Sequence, residues 1–328
     1  MNHYLAPLEG ITGLSYRRMH SKYFGGVDRY YMPFLSPTQN HCLSPKEERE
    51  LSHADQEPYE AVPQILTKSP EDFLWAVDRC VERGYREVNL NMGCPSGTVF
   101  SKGKGSGMLR DLAVTEGFLD EIFSRCPVPI SVKTRVGVIS AEEFPQILEL
   151  LNKYPIQELT IHPRVRKAFY DGAVELDAFA YATEHCKHRL CYNGDIRCRE
   201  DLQYIRCRFP AVSSVMLGRG LITDPGLLCG GTKRQTLLNF HEELLEEYCR
   251  LFSSKVNAVA RMKDIWKELL GLFEDAEKLG KELKKTVDYE SYRSIAHRIL
   301  TELPIHPSLP PGLKDNVSST FSKNFFMR

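Results

Sequence analysis

Two hydrophobic periods alternate along the first part of the chain. Short apolar runs bounded by turn residues read as strands near Tyr4 to Pro7, Val27 to Met32, Ala61 to Leu66, Glu87 to Leu90, Ile130 to Lys133, Glu158 to His162, Leu190 to Asn193 and Ser214 to Leu217. Between them, Phe73, Ala76, Val77, Cys80 and Val81 recur at helical spacing, as do Phe144, Ile147, Leu148 and Leu151, each set lining one side of a helix. Alternating strands and helices predict parallel βα units, and eight of them in about 230 residues predict a (β/α)₈ TIM barrel.

Past Gly230 and Gly231 the strand period disappears. Leu244, Leu245, Tyr248, Leu251 and Phe252 mark one apolar helix face; Met262, Ile265, Trp266, Leu269, Leu270 and Phe273 a second; Tyr292, Ile295, Ala296, Ile299 and Leu300 a third. The pattern predicts a barrel domain over residues 1–235 and a small C-terminal all-α helical bundle domain over 236–328, closed by a proline-rich stretch and a loosely held tail.

Composition narrows the setting. The chain has 328 residues, 42% of them hydrophobic, which excludes a disordered chain. Its ten cysteines follow an opening, MNHYLAPLEG, without the basic and apolar regions of a secretory signal, so a reducing cytoplasm is expected. His185, Cys186, His188 and Cys191 fit no zinc template, and no metal is expected. No apolar run approaches the ~20 residues of a membrane helix. The 43 basic and 43 acidic residues divide evenly about residue 240, which excludes a generally sticky polycation. The sequence is silent on oligomeric state, with a monomer as the expectation.

In a barrel of this kind the chemistry sits at the C-terminal ends of the strands. Those ends are polar here: Pro7, Leu8 and Glu9 after the first strand, Gln64 in the third, Asn91 and Cys94 after the fourth. Lys133 and Arg135 follow the fifth, His162 and Arg164 the sixth, Asn193, Gly194 and Asp195 the seventh, and Gly218 and Arg219 the eighth. The last two supply small residues and one guanidinium where such barrels bind a phosphoryl group, so a phosphorylated cofactor is expected. No GxGxxG opens a helix after a strand, which argues against a Rossmann dinucleotide site.

The motifs APLEGITG at 6–13, VPQIL at 62–66, LNMGCPS at 90–96, SVKTRVG at 131–137, IHPR at 161–164, NGDI at 193–196 and MLGRG at 216–220 resemble, in order, those of the tRNA-dihydrouridine synthases. VARMKDIWKEL at 259–269 is similar to that family's C-terminal RNA-binding helices. The resemblance implies reduction of the C5=C6 bond of a tRNA uridine by a tightly bound FMN that NADPH reloads. It implies FMN contacts from Pro7, Leu8, Glu9, Gln64, Lys133, His162, Asn193, Gly194, Asp195, Gly218 and Arg219. Cys94 becomes the proton donor, and Asn91, Arg135 and Arg164 face the uracil. One departure stands out: Pro163 and Val165 occupy positions where the family more often has a small residue and a threonine.

The residue types suit this chemistry. Hydride added at C6 of uracil leaves an enolate that needs a proton at C5, and a thiol with an ordinary pKa near ~8.5 is mostly neutral and able to donate. The glycines beside Cys94 are expected to let its loop move over the base. A lysine ending a strand at the barrel axis needs an anionic partner, which reduced flavin supplies; a Schiff-base role is the rival. Extracting a base from folded RNA needs a positive rim, expected from Lys102, Lys104, Arg110, Arg135, Arg164, Arg166 and Lys167, with a second patch at Lys278, Lys281, Lys284 and Lys285. Two other readings compete: an FMN enzyme of a small pyrimidine, like the dihydroorotate dehydrogenases, and a non-catalytic RNA-binding protein.

Overall fold

A computed structural model describes residues 1–313. Its strands are β1 (Asn2–Leu5), β2 (Arg29–Tyr31), β3 (Glu60–Val62), β4 (Gln64–Ile65), β5 (Val88–Met92), β6 (Ile130–Arg135), β7 (Leu159–His162), β8 (Leu190–Asn193) and β9 (Ser214–Leu217). All pairings are parallel, in the order β3-β2-β1-β9-β8-β7-β6-β5-β4.

The ring closes through Pro63. Proline offers no N–H, so the ladder breaks there into β3, which pairs with β2, and β4, which pairs with β5. The Pro63 carbonyl still accepts from the Asn89 N–H at 2.8 Å. Residues 60–65 therefore act as one stave, and the result is the eight-staved TIM barrel that the periodicity predicts. Observed strands differ from the expected ones by one or two residues at their ends: β1 begins and ends two residues early, β2 is shorter, and β5 and β6 run on to Met92 and Arg135.

Side chains alternate inside and outside. Tyr4, Ala6, Tyr31, Val62, Cys191 and Met216 form a small cluster within the ring. Leu5, Tyr30, Leu90, Val132 and Ile161 face the surrounding helices in a second, much larger core. Helix starts are locally encoded: Ser69 caps Pro70–Glu82 with Pro at its first turn, and Asp111 caps Leu112–Arg125.

The large core continues without a break into four C-terminal helices, Arg234–Phe252, Lys255–Leu269, Glu277–Lys285 and Tyr289–Glu302. Three of them meet at the Tyr292 hydroxyl, which takes the Trp266 Nε1–H at 2.8 Å and pairs with His241 Nε2 at 2.8 Å. Burial, helped by Arg293, pushes His241 down to about 3, so it is neutral and accepts the hydroxyl proton. Phe273 lies beyond the second helix rather than on its face, because a tight turn at Leu270–Leu272 ends that helix and Phe273 bridges to Ile305. The Arg261 guanidinium donates to the Gly10 carbonyl, joining these helices to the loop after β1.

The chain then runs back to the barrel as a strap. The N–H groups of Gly312 and Leu313 donate to the Asp201 carboxylate at 2.9 and 3.1 Å. A Cβ on Gly312 would lie 2.1 Å from the Asp195 carbonyl oxygen, so only glycine fits. The tail beyond, expected to be loose, lies outside the described residues. Among those described, no helix is long and apolar enough to cross a membrane, and all ten cysteines are free thiols.

Candidate active site

The strand ends converge on one pocket. Its wall holds Pro7, Leu8, Glu9, Gln64, Asn91, Cys94, Lys133, Arg135, His162, Asn193, Gly194, Asp195, Gly218 and Arg219, together with Phe34 and Tyr170. Residues more than two hundred positions apart meet because each follows a parallel strand pointing the same way.

A buried amide relay sets the position of Cys94. Asn91 Nδ2 donates to Gln64 Oε1 at 2.7 Å, Gln64 Nε2 to Asn89 Oδ1 at 2.8 Å, and Asn89 Nδ2 to Ser131 Oγ at 3.0 Å. With its orientation fixed, Asn91 Oδ1 accepts the N–H groups of Gly93 and Cys94 at 3.0 and 2.9 Å. Arg135 Nε holds the Gly93 carbonyl at 2.9 Å, and Ser106 Oγ holds that of Cys94 at 2.7 Å. The glycine-rich loop lies packed against these groups. Its glycines permit close approach: at Gly105, φ +58°, a Cβ would lie 3.0 Å from that of Cys94, and at Gly107 2.7 Å from the Phe100 carbonyl. Burial raises the Cys94 thiol above its ordinary pKa, against the pull of Arg135 and Lys133.

Positive charge is in excess at the pocket floor. Burial, then Arg135, pushes the Lys133 ammonium down to about 8, and among the described residues no side chain or carbonyl pairs with it. Burial brings Arg135 down to about 10, its guanidinium resting on the Gly93 and Val165 carbonyls with no carboxylate partner among the described residues. His162 is driven well below its ordinary value, first by burial and then by Arg135, Lys133, Arg164 and Arg219. Asp195, held at φ +44°, pairs with Arg164 and, at 2.9 Å, with Arg219.

Arg164, expected at the pocket face, is placed behind the wall. The Arg164 N–H turns back onto the His162 carbonyl at 2.7 Å across Pro163, which swings the side chain to Asp195, the Gly172 carbonyl and His162 Nε2 at 3.1 Å. His162 Nε2 is thus an acceptor, and its proton sits on Nδ1. Lys102 and Lys104 also lie outside the wall. Lys102 is exposed, and Lys104 is half-buried against Ser36 Oγ at 3.3 Å. Glu9 turns outward to Lys46.

The two glycine loops after β8 and β9 touch. A Cβ on Gly220 would lie 2.1 Å from the Ile196 carbonyl oxygen, and one on Gly194 3.1 Å from Val174 Cγ1. Small residues bring these backbones together and leave a cleft lined by residues 193–197 and 216–220. The His185, Cys186, His188 and Cys191 group does not converge. His185 bonds the Tyr181 carbonyl, His188 that of Leu151, and Cys191 lies inside the barrel.

A profile of one protein family, dihydrouridine synthase (Dus), matches residues 4–301. The chain belongs to the dihydrouridine synthase family. It is 29% identical over 225 residues to tRNA-dihydrouridine synthase B of Pasteurella multocida, covering 68% of this chain and 67% of that one. Probable tRNA-dihydrouridine synthase 2 of Bacillus subtilis is 27% identical over 311 residues, covering 89% of this chain and 91% of that one. Among solved structures, a morphinone reductase variant in complex with tetrahydroNAD shares the fold, with a TM-score of 0.50, 9% identity, and coverage of 73% of this chain and 87% of that one. A dihydrouridine synthase is an oxidoreductase by its product, since dihydrouridine carries two more hydrogens than uridine.

For this dihydrouridine synthase, a search for polar strand ends passes over two wall residues. Phe34 is apolar, and Tyr170 lies eight residues past β7. Tyr170 stacks on His162, centroids 6.1 Å apart, with Arg135 and Arg219 at 5.3 and 5.4 Å from its ring. Its one signal in the sequence is an aromatic pair in a basic loop, VRKAFYDG.

Proposed function

We propose that this chain reduces uridine in tRNA to 5,6-dihydrouridine, with FMN as resident cofactor and NADPH as its transient reductant. One observation carries the reading: a thiol that keeps its proton is fixed beside a floor whose ammonium, Lys133, has no anionic partner among the described residues.

The residues present fit a flavin mononucleotide. Among the described residues Lys133 lacks a partner, the wall carries more cations than carboxylates, and the touching glycine loops leave a cleft lined by residues 193–197 and 216–220 in which backbone N–H groups would meet a phosphate. Lys133, His162 and Gln64 would face its ring system, and Asn193, Gly194, Asp195, Gly218 and Arg219 its phosphate. When bound, it supplies the hydride that adds at uracil C6. Cys94 gives its proton to C5, and the resulting thiolate is stabilised by Arg135 and Lys133, the cations that already oppose the rise in its pKa. Asn91 holds the Cys94 backbone, and Arg135 holds the turn from the other side. Within the expected domain at 236–328, the helices up to Glu302 are the RNA-binding part of this proposal, and a cytoplasmic location follows from the substrate.

The test is to incubate the purified protein with NADPH and unmodified tRNA and to map dihydrouridine by position. Product at defined uridines is expected. A flavin-loaded protein that makes none at any position overturns the reading, and turnover of a free pyrimidine instead favours the small-substrate alternative.

A further inference from the structure

Beyond the pocket wall, cations and aromatic rings alternate along one ridge. The Arg110 and Arg166 guanidiniums lie 4.7 and 4.2 Å from the centre of the Phe100 ring, and Arg166 lies 5.0 Å from that of Phe169. Tyr170, next in the chain, is the ring at the pocket mouth. At the outer end, Lys68 and Arg110 converge on Gly103, where a Cβ would lie 3.5 Å from Lys68 Cδ and 3.7 Å from Arg110 Nη2. Lys68 and Arg110 also line a surface cleft floored by Met108, Val114 and Phe118.

Three features set this ridge apart from an ordinary solvated face. None of Lys68, Lys102, Lys104, Arg110, Arg166 and Lys167 makes an ion pair among the described residues, so six cations share this ridge without a carboxylate between them. Lys104 feels the crowding: burial lowers its pKa, and Lys102 and Lys68 add to the effect. Phe169 is 41% exposed at φ +49°, a conformation an aromatic residue rarely adopts, so the fold accepts backbone strain to present an apolar ring to solvent. Guanidiniums held on the half-buried Phe100 ring and followed by the exposed rings of Phe169 and Tyr170 match the chemistry of a single nucleic-acid strand, whose phosphates neutralise the cations while its bases stack on the exposed rings. A paired duplex offers phosphates and hides its base faces, so it satisfies only half of the ridge.

We propose that this ridge, from Lys68 past Arg110, Phe100 and Arg166 to Phe169, binds the unpaired RNA strand that flanks the target uridine and delivers that base to the mouth at Tyr170. The inference rests on the dihydrouridine synthase reading and adds to it a track and a requirement for single-strandedness. The side chains of Arg110 and Arg166 make no hydrogen bond among the described residues beyond one from Arg110 Nε to the Gly107 carbonyl, so replacing them leaves the fold intact.

The experiment compares wild type with the double variant Arg110→Ser with Arg166→Ser, and separately with Phe169→Asn, which tolerates positive φ. Dissociation constants for unmodified tRNA are measured over a salt series, with a short single-stranded RNA and a duplex of equal charge as competitors. The double variant should lose at least about tenfold in affinity, and its salt slope should fall by roughly 1.5, from two lost phosphate contacts. Phe169→Asn should lose about tenfold with an unchanged slope, as expected for one lost stacked base. Both should raise KM for tRNA far more than they lower kcat. Wild-type affinity in both variants, or a duplex competing as well as the single strand, overturns the ridge. A wild type that binds tRNA through these residues yet forms no dihydrouridine overturns the enzymatic reading and leaves the ridge standing. A wild type that binds no tRNA overturns both.

Discussion

Cys94 keeps its proton because the pocket desolvates it, and that same burial fixes the direction of its pH dependence. Its pKa lies above the ordinary thiol value, so the donor is fully protonated at neutral pH and is lost only as pH rises through that raised pKa. Cys94→Ala should retain the yellow flavin and lose about 10²-fold or more in single-turnover reduction of tRNA, measured after loading with NADPH; wild-type turnover would remove it from the mechanism. Lys133 responds earlier, since burial has brought it down to about 8. Below that pH the ammonium is charged and attracts an anion; above it the charge disappears, so flavin dissociation constants should rise as pH passes about 8. A flat profile across that point, or a Lys133→Met variant with the same affinity, would exclude Lys133 as the anion's partner. At this scale the sequence announces Lys133 and Cys94, because a polar residue at the end of an apolar strand has few structural explanations. It misplaces Arg164, whose direction depends on a two-residue turn at Pro163.

Between residue and molecule stand the elements that hold these side chains. Gln64 links β4 to β5 through Asn89 and Asn91, so the stave that closes the ring also orients the cysteine turn. Gln64→Leu strands two buried amides at roughly 1–3 kcal/mol each, a loss that urea unfolding should show as a lower midpoint at unchanged slope. An unshifted midpoint would mean the relay contributes orientation and no stability. Gly220→Ala forces a methyl against the Ile196 carbonyl, parting the loops after β8 and β9; flavin content after purification should fall sharply while the far-UV spectrum is kept. Stave order and helix faces are legible in the alternation of periods. The break at Pro63 is legible only once pairing on both sides is known, because a proline in an apolar run reads equally as an edge strand.

Across the whole molecule, equal numbers of acids and bases conceal a segregated distribution. Lys278, Lys281, Lys284 and Lys285 project from one short helix without ion pairs among the described residues, while Leu279 and Leu283 anchor its other side. Lys281→Glu with Lys284→Glu should raise KM for tRNA and flatten its salt dependence; an unchanged KM would reduce the patch to a solvated surface. Composition hides this arrangement because net charge sums over faces that the fold separates. The C-terminal helices were foreseeable from their stripes, but their return to the barrel was not, since a glycine and a leucine after several prolines carry no periodic signal.

That return has a consequence for the order in which the protein is made. Asp201 emerges from the ribosome more than a hundred residues before Gly312 and Leu313, the two N–H donors it receives in the finished chain. Until they arrive, the loop carrying Asp195 is missing the segment packed against its carbonyl, and the anchor for Arg164 and Arg219 is unbraced. The rim of the barrel is therefore braced by residues made more than a hundred positions after the loop they hold, so on the flavin reading the cofactor cleft takes its final form only once the helices between them have been translated.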